Sequence, residues 1–215
     1  MMNKLLERYP QLKSCEDDIL KAKNMMLSTY YAGGKILVCG NGGSAADSDH
    51  IVGELMKGFL LKRKMDRDTA KKFKDSLSND ADHFIENLQC GIPAISLPSQ
   101  SAVLSAYAND VDPSLVYAQL VFSYAKKNDL LIALSTSGNS KNVFAAVQTA
   151  KALGIQTLAL TGASTSKISN LCDCTIRVPE TETFMVQELH LPVYHYLCAA
   201  IENELFGMQS CNTGI

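Results

Sequence analysis

The 215-residue chain has no tryptophan, only four histidines and six prolines, and a net charge of just −2. Such a balance of charge excludes a general attraction to nucleic acid or to an anionic membrane, so any recognition of an anion has to be local. No uninterrupted apolar run in the sequence approaches the roughly 18 residues of a membrane span. The opening stretch, MMNKLLERYPQLKSCEDD, carries charges where a secretory signal needs its apolar region. Seven cysteines stand at irregular spacings, with Cys39 and Cys198 in otherwise apolar stretches. Together these features predict a cytoplasmic protein with reduced thiols. Cys172 and Cys174 form a C-x-C pair with no second pair nearby, which argues against a metal or redox centre there. The nucleotide-binding signature G-x-x-x-x-G-K-[ST] is absent as well.

At 47% hydrophobic and 20% charged, the chain is long enough for one α/β domain with a substantial core. Apolar residues at helical spacing, among them Leu12, Ile19, Met26 and Tyr30, predict a long N-terminal helix over 5–31 that Gly33 and Gly34 terminate. Five short apolar runs follow, at 36–39, 94–97, 130–134, 157–160 and 175–178. They are mostly continuous rather than alternating, as parallel strands covered on both faces are. Helical patterns at 45–59, 101–108, 115–126, 142–153 and 182–205 lie between and after them. The alternation predicts a doubly wound five-stranded parallel sheet, with ligands outside the carboxyl ends of its strands. The chain then divides into an N-terminal helix (1–34), a sheet domain (35–206) with a basic helical insertion at about 57–90, and a patternless tail (207–215). Between Lys57 and Lys74 there are eight Lys or Arg against two Asp. A solvated helix face explains that run; contact with an acidic partner or a lid over a phosphorylated substrate are the alternatives.

Two strand-to-helix turns carry the chemistry. In KILVCGNGGSAADSDH, Gly42 and Gly43 let backbone approach a ligand closely, beside the polar side chains of Asn41 and Ser44. A tight turn without any ligand explains that stretch alone. In DLLIALSTSGNSK, the hydroxyls of Ser135, Thr136, Ser137 and Ser140 crowd the start of a helix. An N-cap accounts for one hydroxyl, not four. Amide-rich turns at helix N-termini favour anions, so the pair predicts one phosphorylated ligand between them. His50 and Glu54 share one helix face, an arrangement that a simple i,i+4 hydrogen bond also explains. The last helical pattern holds Gln187, Glu188, His190 and His195; His190 reads as a bystander, buried and satisfied by nearby backbone. Pro192 within it predicts a kink or a displaced helix start.

The set GNGGS, H-x-x-x-E (His50, Glu54), AND (108–110), LSTSGNS (134–140) and Q-E-x-H-x-x-x-x-H (187–195) resembles the phosphoheptose isomerases of the sugar isomerase (SIS) superfamily, in the family's order over roughly 5–206. The resemblance implies a flavodoxin-like fold and isomerisation of sedoheptulose 7-phosphate, early in heptose synthesis for surface polysaccharides. It implies that Ser135, Thr136, Ser137 and Ser140 hold the phosphate, and that Asn41, Gly42, Gly43, Ser44, Asn109, Asp110 and Gln187 line the substrate. Glu54 then corresponds to the base and His195 to the acid. Some members bind zinc through the positions of His50, Glu54, Gln187 and His195, and the family forms homotetramers whose sites combine subunits. A carboxylate and an imidazole suit an enediol mechanism on physical grounds too, since a carbon-bound proton must leave and return. Gln187 and His195 are eight residues apart, about 12 Å along a helix, whereas ligands of one zinc each stand about 2 Å from it. Gln187 must therefore reach across, start outside the helix, or serve another subunit's site. The stretch between Glu54 and Ala94 is longer than in a typical member, and as a lid it would stand over the sugar rather than the phosphate. Residues 103–121 are also similar to SIS proteins that associate with a replication initiator, so a non-catalytic sugar-phosphate sensor or initiator partner is the alternative. Those binders lack the histidine that matches His195. No direct contact with nucleic acid or membrane is expected.

Overall fold

The computed structural model describes residues 1–211. Its centre is a fully parallel sheet of β1 (Ile36–Cys39), β2 (Ala94–Ser96), β3 (Leu130–Leu134), β4 (Gln156–Thr161) and β5 (Cys174–Arg177), in the order β2-β1-β3-β4-β5. This is the doubly wound order with its switch point beside β1 and β3. Strand side chains alternate between two cores. Ile36, Val38, Leu130 and Ile132 face one, with Leu37, Cys39, Leu131 and Ala133 on the other. The first core is covered by α2 (Glu16–Tyr31), α3 (Gly43–Met56) and α9 (Thr183–Cys211), through Ile19, Met26, Ile51, Leu55, Val193 and Leu197. The second is covered by α7 (Val116–Tyr124) and α8 (Lys141–Ala152), through Leu120, Val121, Val143 and Val147. By contrast α6 (Ser101–Asp110) buries none of its residues. Among the described residues no helix is long and apolar enough to cross a membrane.

The expected long N-terminal helix is present as α2, but the pattern that began at residue 5 is divided. A short α1 (Met2–Arg8) is followed by 3₁₀ turns over Pro10–Cys15. Proline keeps the residue before it out of the helical region, and Tyr9 accordingly sits at φ −131°, ψ 70°. Pro192 does not displace the helix start: α9 begins at Thr183 and runs through it to Cys211. One missing N–H is outweighed where Leu189, Val193 and Leu197 are all buried around it. Residues 207–211 are thereby helical rather than tail, and 212–215 lie outside the described residues.

The basic segment forms α4 (Arg67–Leu77), which buries nothing, and α5 (Ala81–Asn87), with Phe73 against Phe84 at 6.0 Å between ring centroids. This excursion leaves and rejoins the domain at one place, where Lys64 bridges Gln89 and the Cys90 N–H donates to the Arg63 carbonyl at 2.7 Å. Arg63 departs from the solvated reading of that run, being wholly buried.

Candidate active site

Both expected turns lie at the carboxyl edge of the sheet, as the switch point requires. The first joins β1 to α3. Gly42 has φ +56°, a conformation that favours glycine, and a Cβ on Gly40 would stand 2.6 Å from the Ser44 carbonyl oxygen. Tyr117 Oη donates to the Gly40 carbonyl at 2.7 Å and pins the turn from the second core. Ser44 is almost buried, while Asn41 is exposed. The second turn joins β3 to α8 through Gly138, at φ +63° and packed against Ser166. Ser140 occupies the N-cap of α8, yet its side chain makes no capping bond. Its hydroxyl stands 3.0 Å from Ser135 Oγ instead. Capping therefore does not explain these hydroxyls, and Ser137 is exposed beside them. The Thr136 carbonyl accepts from the Gly162 N–H at 3.0 Å, tying the turn to the end of β4.

A residue not singled out from sequence joins the two turns. Asn142 and Asn41 exchange side-chain amide hydrogen bonds in both directions, at 2.8 and 2.9 Å. The signal was available: Asn142 follows Ser140 by two positions and so faces the same helix start.

From the first turn α3 and α9 descend side by side. At the top, Gln187 rests on Gly43, where an added Cβ would stand 2.5 Å from Gln187 Nε2. One turn down, Tyr194 Oη lies 3.1 Å from Asp47 Oδ1 and 3.1 Å from His50 Nδ1. Next to it His50 Nε2 faces His195 Nε2 at 3.4 Å and Glu54 Oε1 at 3.4 Å. Lys57 Nζ approaches the other Glu54 oxygen at 3.4 Å, and Phe59 leans on the His195 ring at 5.6 Å between centroids. Below this group Arg63 and Glu202 form a pair without solvent exposure. Arg63 donates to the backbone carbonyls of Leu55 and Glu54 at 2.5 and 2.9 Å, and Glu202 accepts the N–H groups of Phe59, Leu60 and Leu61. This pair finishes α3 and holds the loop that places Phe59 on His195.

Burial sets the charge preferences here. It raises the Asp47 carboxyl, against smaller opposing effects of Tyr194 and His50. It lowers the His195 imidazole, with the neighbouring His50 acting in the same direction. Burial also pushes His190 down to about 4, against a smaller pull from the Thr161 backbone. His190 is buried as expected, but neither of its ring nitrogens makes a well-formed hydrogen bond, so it is not satisfied by backbone as the sequence suggested.

The structure thus brings Glu54, His50 and His195 together, and joins Asn41 and Gln187 to the two turns. It does not bring those groups to one point. Glu54 is eleven residues below Gly43, about 16 Å along α3. Asn109 and Asp110 bond each other at the far end of α6 and, among the described residues, make no hydrogen bond to either turn. Of the four expected metal ligands, Gln187 stands apart at Gly43, and among the described residues no cluster of three His, Cys, Asp or Glu is arranged to hold an ion. His195 also borders an apolar cleft of about 620 Å³ between α1 and α9, lined by Leu5, Tyr9, Phe59, Leu60 and Leu191.

A parallel sheet in this order, with small-residue turns after β1 and β3, places the chain among SIS domain proteins, and two SIS domain family models match residues 2–89 and 95–201. The chain is 37% identical to the phosphoheptose isomerase of Helicobacter pylori (strain Shi470) over 191 residues, 89% of this chain and 86% of that one. It is 33% identical to that of Rhodospirillum rubrum over 197 residues, covering 92% and 91% of the two chains. The structure of the Neisseria gonorrhoeae phosphoheptose isomerase superposes with a TM-score of 0.73 at 27% identity, covering 94% of each chain. The chain belongs to the phosphoheptose isomerase family, whose members are aldose–ketose isomerases.

Proposed function

We propose that this protein interconverts sedoheptulose 7-phosphate and glycero-manno-heptose 7-phosphate through an enediol, with Glu54 moving the carbon-bound proton and His195 serving the oxygens. The observation that carries this reading is the convergence of Glu54, His50 and His195 at 3.4 Å spacings from two helices, with His50 and His195 145 residues apart in sequence. The serine-rich turn, stapled to the glycine turn by Asn41 and Asn142, is the phosphate anchor. Binding energy at this non-reacting end orients the carbonyl end for proton transfer. The family names of the relatives and the retained His195 favour an enzyme over a non-catalytic sensor or initiator partner.

Within one chain the glycine turn and the acid–base pair stand toward opposite ends of α3. Eight bonds separate C1 from phosphorus, about 10 Å when extended at roughly 1.2 Å per bond, against the rise of about 16 Å from Gly43 to Glu54. We therefore assign the active form to a homo-oligomer, a tetramer by the family resemblance, in which the lower end of α3 and α9 of one chain meets the turns of another. An antiparallel two-fold pairing of these helices does this twice over. Phe184, Leu191 and Leu60, 58%, 40% and 62% exposed along that face, supply apolar surface for it. Gln187 then serves a neighbour's His50, Glu54 and His195.

Zinc fits this donor set in part. Two nitrogens each about 2.0–2.1 Å from a tetrahedral ion lie about 3.4 Å apart, which is the spacing of His50 Nε2 from His195 Nε2. Among the described residues one chain does not by itself arrange His50, Glu54 and His195 to hold an ion; with Gln187 from another chain the four would hold it, and the ion would supply electrostatic stabilisation of a developing enediolate. Cys15, Cys39, Cys90, Cys172, Cys174 and Cys198 are free thiols, in keeping with a cytoplasmic setting.

The test is to incubate the protein with sedoheptulose 7-phosphate or fructose 6-phosphate, with and without a chelator, and follow aldose formation. Turnover is expected with the heptose phosphate, and Glu54→Gln and His195→Ala are expected to abolish it while phosphosugar binding survives. Unchanged turnover in either variant refutes the mechanism.

A further inference from the structure

The Tyr194 hydroxyl, on a residue 2% exposed, sits between Asp47 Oδ1 and His50 Nδ1 at 3.1 Å from each. A carboxylate only accepts hydrogen bonds, and a phenol has one proton to give. Once that proton points at Asp47, the phenol oxygen can only accept, so the neighbouring ring nitrogen must be the donor. We propose that Asp47 and Tyr194 are positioning residues that hold His50 in its Nδ1–H tautomer, presenting an unprotonated Nε2 to the gap between His195 and Glu54. His50 needs such a hold. Its side chain is 42% exposed, and among the described residues its remaining polar contacts are the two across the gap. Edge-to-face packing of His50 on Tyr194 and on His195, at 5.4 and 4.9 Å between centroids, fixes the ring plane without choosing a tautomer. The hydrogen-bond chain makes the choice.

Two consequences follow for chemistry. With its lone pair toward His195, His50 Nε2 accepts from His195 Nε2 across 3.4 Å, so the neutral His195 keeps its proton on the nitrogen that faces the gap, the form an acid requires. Toward Glu54, also at 3.4 Å, His50 Nε2 then offers no hydrogen, so the carboxylate keeps its lone pairs for a substrate proton. This inference rests on the assignment of Glu54 and His195 as the acid–base pair, but its central claim is measurable without turnover. Nothing in the local pattern of either helix announces it, because Asp47 and Tyr194 are 147 residues apart.

The experiment uses the full-length unliganded protein with ¹⁵N-labelled histidine. There are four histidines, and His50→Gln identifies the signals of His50. Long-range ¹H–¹⁵N spectra should show a protonated Nδ1 and an unprotonated Nε2 for His50. In Tyr194→Phe, which removes only the hydroxyl, and in Asp47→Asn, whose amide also donates, the tautomers should mix and kcat should fall by about 10- to 100-fold, the scale for residues that orient a catalytic histidine. KM for the sugar phosphate should stay within about twofold, because the anchor turns are untouched. A wild-type His50 with its proton on Nε2, an unchanged tautomer in Tyr194→Phe, or a mixed tautomer with full kcat each overturns the proposal. Full turnover by Glu54→Gln, with the Nδ1–H tautomer intact, overturns the acid–base assignment instead.

Discussion

Replacing Glu202 by glutamine changes one atom and should be among the most damaging substitutions in the chain. Glu202 Oε1 accepts from the Phe59 N–H at 2.7 Å and from Arg63 Nε at 2.8 Å, and Oε2 accepts from the Leu60 and Leu61 N–H groups at 2.7 and 3.1 Å. Whichever end of the amide carries the NH₂, that end meets two donors with a donor. Two buried bonds are lost and Arg63, with no exposure, loses its counter-charge. Breaking one side of a buried pair costs about 3–5 kcal/mol, a large share of the roughly 5–15 kcal/mol that holds a domain folded. At about 2–4 °C per kcal/mol for this size, the melting temperature should drop by about 6–20 °C. The assay is thermal unfolding of wild type and Glu202→Gln at one protomer concentration, since assembly would otherwise shift the midpoint. The double variant Arg63→Met with Glu202→Leu should not recover the loss, because the Phe59, Leu60 and Leu61 N–H groups and the Leu55 and Glu54 carbonyls would then lack their partners. The effect should also fade on acidification. Burial raises the Glu202 carboxyl, but the Phe59 and Leu60 N–H groups and Arg63 together outweigh it, so the net direction is down. A lowered carboxyl contributes stability above its unfolded value of about 4.3 and loses it as pH falls through the folded value, so the two melting curves should converge below that point. A loss under about 1 kcal/mol at neutral pH, or a gap that widens in acid, would refute the reasoning.

The staple between the turns should couple: Asn41→Ala and Asn142→Ala are each expected to raise KM, and a double-mutant cycle should return about 0.5–3 kcal/mol of interaction, against none if the amide pair is incidental. His190, pushed down to about 4 by burial, stays neutral in the fold while the unfolded chain titrates near 6.5. The unfolded state then binds more protons between those values, so stability should fall as pH drops from about 6.5 toward 4, and His190→Leu should flatten that part of the melting-temperature profile. Mixing inactive Glu54→Gln chains with inactive Ser135→Ala, Ser140→Ala chains should restore turnover through mixed sites, whereas no recovery after confirmed subunit exchange would mean that each chain works alone.

The strands were legible because parallel strands buried on both faces need uninterrupted apolar runs. β1 at 36–39 and β3 at 130–134 agree residue for residue with that reading. The anchor turns were legible for a related reason: a positive φ at Gly42 and Gly138 demands glycine where a strand turns into a helix. What stayed hidden is what depends on partners distant in sequence. A charged residue in a basic run reads as solvated, and nothing local says that Arg63 meets Glu202 across 139 positions. Tyr194 reads as one more apolar position of α9, since only the fold reveals Asp47 and His50 at its hydroxyl. Pro10 was a visible break that the apolar spacing masked, because Leu12 stays fully buried in the 3₁₀ turns as it would in a helix.

The same geometry spreads the expected side chains along the helices. α3 starts at the glycine turn and carries Glu54 near its end, so its length separates the two. α6 repeats the pattern: it starts beside the sheet edge, carries Asn109 and Asp110 to its far end, about 14 Å away at 1.5 Å per residue, and buries nothing on the way. Val103, Val111, Leu115 and Phe122 are 43%, 64%, 39% and 66% exposed around it. An apolar helix left uncovered with polar groups at its tip is poor design for a lone domain and good design for one that docks. Asn109 and Asp110 lie on exposed surface that a second chain can cover. Assembly would close these gaps together, so activity should vanish on dilution before the fold does.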